Sequence, residues 1–151
     1  MTDSDHAFPV RLQRAAAGGA RAYARAKSFE VGSQASLRES DPQPSAIEYA
    51  LGALGGDLLC GLERAAEREG LRLYALEIAL RGRLDNILIH LGVVGEVGHA
   101  GFGAIDGTIY VSTDSEPAAI ESAWQTTLVR SPLYNTFTRC AAVSIILKVI
   151  P

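Results

Sequence analysis

The stretch from Ile47 to Leu62 constrains this chain more than any other. It follows Ser45-Ala46-Ile47-Glu48, in which a serine can accept from an amide three residues on and a glutamate can reach back to the serine amide. A helix is expected from there to Glu69, with Gly70 just past its end. Such a helix would be about 36 Å long at the usual rise per residue. Its far end carries Glu63, Arg64, Glu67, Arg68 and Glu69 and reads as solvated. Its first four turns are apolar nearly all round, and a helix apolar on every side must be buried on every side. A three-stranded sheet in a chain of 151 residues cannot wrap it, whereas a second subunit could. Gly52, Gly55, Gly56 and Gly61 point the same way. Each costs about 1 kcal/mol relative to alanine inside a helix and is tolerated where another backbone comes close.

Bulk properties narrow the setting. Hydrophobic residues make up 48% of the sequence, enough for a core without disulfides or a structural metal. The net charge of −3 argues against a phosphate-binding surface, so no nucleic-acid partner is expected. Two cysteines, Cys60 and Cys140, are too few for a disulfide framework. Residues Met1 to Val10 hold Asp3 and Asp5 and no apolar core of a signal peptide. The longest apolar run, Tyr49 to Leu62, is interrupted by Asp57 and falls short of the roughly 18 residues of a membrane span. The expectation is one cytoplasmic α+β domain over residues 1–151, with a tail at 1–8 and no membrane association.

Around the helix, alternating apolar and polar residues predict three antiparallel strands over 10–16, 21–27 and 29–37, separated at Gly18-Gly19 and Lys27-Ser28. Leu71 to Leu84 alternates again, with Leu76, Ile78 and Leu80 against Glu77 and Arg81. The span 82–107 holds seven glycines and reads as a short helix within 85–94 followed by a mobile loop. A strand is expected over 108–113. Ser115 then caps a helix with Pro117 in its first turn, carrying Ile120, Trp124 and Leu128 inward to Arg130. Ser131-Pro132 opens a further short helix to about Arg139, and 142–150 is a closing strand. The order is βββ-α-ββ-αα-β.

The chemistry is sparse. Gly101-Phe102-Gly103 has Asp106 where a dinucleotide loop needs its third glycine, and no phosphate loop occurs. His6, His90 and His99 have no zinc spacing, so neither cofactor nor metal is expected. Asp57 is the informative residue: a carboxylate inside an apolar helix costs several kcal/mol unless it finds a cation, donors or water. Arg38, in the segment leading into the helix, is the expected partner. Cys60 lies one turn beyond Asp57, and a nearby anion raises a thiol's pKa, so Cys60 reads as a buried structural cysteine rather than a nucleophile.

Two segments then resemble a known family. Ile47-Glu48-Tyr49-Ala50-Leu51-Gly52-Ala53-Leu54-Gly55-Gly56-Asp57, running on to Ala66-Glu67-Arg68-Glu69-Gly70, resembles the central helix of OsmC/Ohr hydroperoxide-resistance proteins. Ser131-Pro132-Leu133-Tyr134-Asn135-Thr136-Phe137 resembles their second motif, which starts with cysteine. The resemblance implies an intertwined homodimer whose two central helices are enclosed by shared sheets. It implies a thiol peroxidase ancestry, with one cysteine on the helix, a second at the later motif, and an arginine and a glutamate that hold the thiolate. Carried over, these four positions are Asp57, Ser131, Arg38 and Glu48, so both cysteines are replaced.

Peroxide reduction needs a thiolate to attack the O–O bond, which neither a carboxylate nor a hydroxyl can do. The expected function is a non-peroxidatic OsmC-like homodimer with a small apolar or acyl ligand at its interface. The alternatives are a hydroperoxide reductase using Cys60 and a hot-dog-like thioesterase using Asp57.

Overall fold

A computed structural model of the chain describes residues 6–33 and 42–150. The chain divides into two compact units, Met1–Ala50 and Leu51–Pro151. In the first, β1 (Arg11–Arg14), β2 (Ala20–Ala24) and β3 (Lys27–Val31) form an antiparallel meander. Gly18 and Gly19, both at positive φ, turn β1 into β2 as expected. The second turn lies earlier than the sequence implied. Ala24 pairs with Lys27 across a two-residue turn at Arg25-Ala26, and Lys27 and Ser28 already belong to β3. Arg25 supplies the left-handed residue of that turn at φ +55°, a position where glycine or asparagine is the usual signal. Across the β2–β3 pair, Arg21 Nε donates to Glu30 Oε1 at 2.7 Å, and this carboxylate pushes the guanidinium above its ordinary pKa. The stretch of the third strand expected beyond 33, and Arg38 with it, lies outside the described residues.

The central helix α1 spans Ala46–Glu69. Its start is the expected capping box: the Glu48 amide donates to Ser45 Oγ at 3.3 Å and the Ser45 amide donates to Glu48 Oε2 at 2.7 Å. Its end is a Schellman turn. Gly70 stands at φ +69°, its amide donates to Glu67 O at 3.2 Å, and the Leu71 amide donates to Ala66 O at 2.9 Å.

In the second unit, β4 (Ala75–Leu84), β5 (Phe102–Ser112) and β6 (Ala142–Ile150) make a sheet of order β4-β5-β6. The β4–β5 pair is antiparallel and the β5–β6 pair parallel. Between them lie α2 (Ile87–His90), α3 (Pro117–Arg130) and α4 (Pro132–Phe137). Leu54, Leu58 and Leu62 of α1 are fully buried in one cluster with Ile105 and Ile109 of β5 and Ile120 and Trp124 of α3. Inward residues of β4 and β6, among them Ile78, Leu80, Ile145 and Leu147, pack against it.

Three details depart from the sequence reading. The central strand begins at Phe102, six residues before the expected start, and takes in glycines that read as loop. Gly107 is strand because Leu80 of β4 crosses it, where a Cβ would collide with that side chain. Ser115 does not cap α3: Glu116 occupies the cap without a side-chain bond, and the Ser115 amide donates to Thr113 Oγ1 at 3.0 Å. The short last helix stops at Phe137 rather than Arg139. No helix among the described residues is long and apolar enough to cross a membrane.

Burial of α1 is one-sided within the chain. Leu54, Gly55, Leu58, Leu62, Ala65 and Ala66 are buried, whereas Gly52, Ala53, Gly56 and Cys60 are exposed. Gly55 and Gly61 serve this chain's own packing. A Cβ on Gly55 would lie 3.3 Å from Ile78 Cγ2, and one on Gly61 2.8 Å from Thr127 Cγ2. Gly52 and Gly56 face open space.

Candidate functional site

Helix α1 presents Asp57 half-buried at mid-length, toward the joint between α3 and α4. Ser131 forms that joint. Its amide donates to Thr127 O at 2.9 Å and closes α3, while its side chain accepts from the Tyr134 amide at 2.9 Å and caps α4. Pro132 follows in the first turn, where its missing N–H costs nothing. The Ser131 hydroxyl donates to Asp57 Oδ2 at 2.5 Å, and the Leu133 amide donates to the same oxygen at 3.3 Å. Ser131 is 4% exposed, so this is a largely dry contact between residues 74 positions apart.

The carboxylate therefore finds donors rather than a cation among the described residues. One is a hydroxyl and the other a free amide at the N-terminus of α4, where negative charge is favoured. Asn135 completes the joint: its Nδ2 donates to Ser131 O at 2.6 Å and to Leu128 O at 3.0 Å, taking up carbonyls that the end of α3 leaves open. Sequence reading missed Asn135. An asparagine four residues after a serine cap is a weak signal until the preceding helix is known to end there.

Of the residues singled out by sequence, Asp57 and Ser131 come together and Glu48 serves as the capping-box partner of Ser45. The proposed Arg38–Asp57 pair falls outside the described residues. Cys60 is a correction: it is exposed, not buried, because it lies on the side of α1 opposite the core leucines. Cys140, after α4, is also exposed, and its thiol lies 3.4 Å from Phe137 O. His99 sits in the glycine-rich loop with Nδ1 3.2 Å from Asp85 Oδ2, an exposed surface pair. Among the described residues no three His, Cys, Asp or Glu side chains gather as metal donors.

No family model and no curated protein matches this sequence. Solved structures match it over nearly its whole length. An OsmC-like protein from Mycoplasma pneumoniae superposes with a TM-score of 0.82 at 11% identity, covering 97% of this chain and 99% of that one. The organic hydroperoxide resistance protein OsmC from Legionella pneumophila gives 0.70 at 9% identity, covering 97% and 99%. The organic hydroperoxide resistance protein OhrB of Bacillus subtilis gives 0.62 at 14% identity, covering 94% and 98%. The chain is thus an α+β protein with two three-stranded sheets and a long central helix. Its fold is that of the OsmC-like and Ohr proteins.

Proposed function

We propose that this chain is a divergent OsmC/Ohr homologue that acts as a homodimer and has given up thiol peroxidase chemistry. The observation behind this reading is the Asp57–Ser131 hydrogen bond at the two positions that the sequence resemblance assigns to the family's cysteines. A reactive pair of that kind works in two steps. The first thiolate attacks one peroxide oxygen and becomes a sulfenic acid, releasing an alkoxide that takes a proton. The second thiol condenses with the sulfenic acid to a disulfide and water. Each step needs sulfur to surrender electrons. A carboxylate and a hydroxyl cannot, and here they lock two helices together instead. The hot-dog-like thioesterase reading loses its ground with the fold, since the described strands form two separate three-stranded sheets.

A reading based on Cys60 keeps one favourable observation, its exposure, and the test separates the two. Reduced protein is mixed with one equivalent of cumene hydroperoxide, and peroxide loss is followed with the thiol state of Cys60 and Cys140 by mass spectrometry. The expected outcome is no peroxide consumption beyond that of a denatured control. Stoichiometric consumption with sulfenic acid or disulfide at Cys60 would establish the Cys60 mechanism and end the proposal. Exposed free thiols on both cysteines suit a reducing, cytoplasmic setting.

The homodimer is supported by the exposed stripe of Gly52, Gly56 and Cys60 on an otherwise core-forming helix. A small apolar or acyl ligand would sit where two such helices meet. Gly56→Leu tests this directly. A Cβ at that position meets nothing within 4 Å in the chain, so the subunit fold is expected to persist, with a gain in helix propensity of up to about 1 kcal/mol. Sedimentation is expected to give a dimer for the wild-type protein and a monomer for the variant. A wild-type monomer at micromolar concentration, or a variant that dimerises equally well, would defeat the proposed interface.

A further inference from the structure

We infer that the groove between α1 and α3 is a binding site for a small hydrogen-carrying oxyanion, namely inorganic phosphate. On α1, Asp57, Gly61, Arg64 and Arg68 succeed one another at helical spacing and line one small open cleft. Thr126 and Arg130 of α3 line its other side. The α1–α3 approach is close because Gly61 lacks a Cβ where Thr127 stands.

Three arginines thus share the lining of one small space. Among the described residues none of the three forms an ion pair; the pairs there are Arg21–Glu30, Arg81–Asp106, Arg83–Asp106 and His99–Asp85. Three arginines against one carboxylate leave the lining at +2, on a chain whose overall charge is −3. A favourable position near a helix C-terminus accounts for Arg68 and Arg130 one at a time. It does not account for Arg64, nor for all three sharing one cleft. Planar guanidinium forks match the oxygens of phosphate and bind them in pairs.

Asp57 decides which oxyanion. One of its oxygens is committed to Ser131 and Leu133, the other is not bonded in this way among the described residues, and Asp57 also lines the cleft. A fully ionised anion such as sulfate would bring lone pairs against that carboxylate. Phosphate at neutral pH keeps a P–O–H, which can donate to it in a strong charge-assisted bond. The cleft therefore selects phosphate over sulfate.

This inference stands apart from the peroxidase question and from the dimer. Its test is phosphorus NMR line broadening and calorimetric titration of the full chain with inorganic phosphate at constant ionic strength. Wild-type protein is expected to bind phosphate at least about tenfold more tightly than sulfate. Arg64→Gln with Arg130→Gln is expected to weaken phosphate binding at least about tenfold. Arg139→Gln, outside the cleft, should leave it unchanged. Asp57→Asn, which keeps an acceptor for Ser131, is expected to narrow the phosphate–sulfate difference. Phenyl phosphate, which at neutral pH has mostly lost its last P–O–H proton, is expected to bind more weakly than inorganic phosphate, and tighter binding would overturn the selection by Asp57. No phosphate binding at millimolar concentration, or unaltered binding in the double arginine variant, overturns it.

Discussion

Replacing Leu58 with alanine should cost about 2–5 kcal/mol of stability, the range for truncating a fully buried leucine. Leu58 is 0% exposed at the centre of α1 and belongs to the cluster that joins α1, β5 and α3. Neighbours on three elements would have to move to refill the space, and the strands on both sides of β5 hinder that collapse. For a chain of this size the loss corresponds to a fall in Tm of about 5–20 °C. Leu88→Ala is the natural comparison. Leu88 is 41% exposed, and its loss should stay within about 0.5 kcal/mol. Scanning calorimetry at one protein concentration reads both. Equal melting temperatures for the two variants would mean that α1 does not pack as described.

Ser131→Ala should cost about 2–4 kcal/mol, unusually much for a single hydroxyl. Two losses coincide. The cap of α4 is removed, worth about 0.5–2 kcal/mol. The bond to the Asp57 carboxylate is removed as well, and a hydrogen bond to a charged group contributes about 1.5–3 kcal/mol. Asp57→Asn should cost less, since an amide oxygen can still accept from Ser131. Chemical denaturation of both variants measures the ordering. Ser131→Ala within experimental error of wild type would show that Asp57 is not held at this joint.

Much of this architecture was legible from residue order, and the reasons are local. Ser45 and Glu48 spell a capping box, and Gly70 after a charged turn spells a helix stop; both signals act within a few residues and tertiary context did not override them. The alternation of Leu76, Ile78 and Leu80 placed one face of β4 correctly for the same reason. What failed depended on neighbours far along the chain. Glycines at 103 and 107 look like loop until β4 and its approach are known, because the side chains that need the space are Asp85 and Leu80. The Arg25 turn carries no glycine or asparagine to announce it. Asp57 was marked as needing a cation, donors or water, and the expected partner Arg38 lies outside the described residues. The donors seen among the described residues are a hydroxyl and an amide at a helix start 74 and 76 residues along the chain, which no local pattern announces. Cys60 was read as a buried structural thiol from its place one turn beyond Asp57, whereas a single chain covers only one side of α1 and Cys60 lies on the other.

The double duty of Ser131 has an evolutionary consequence. It ends one helix, begins another and satisfies an acid on a third, so residues 57 and 131 are not free to drift independently. Losing the acid leaves the Ser131 hydroxyl without its acceptor, and losing the hydroxyl leaves the carboxylate with the Leu133 amide alone. Descendants of this chain should carry them as a matched pair.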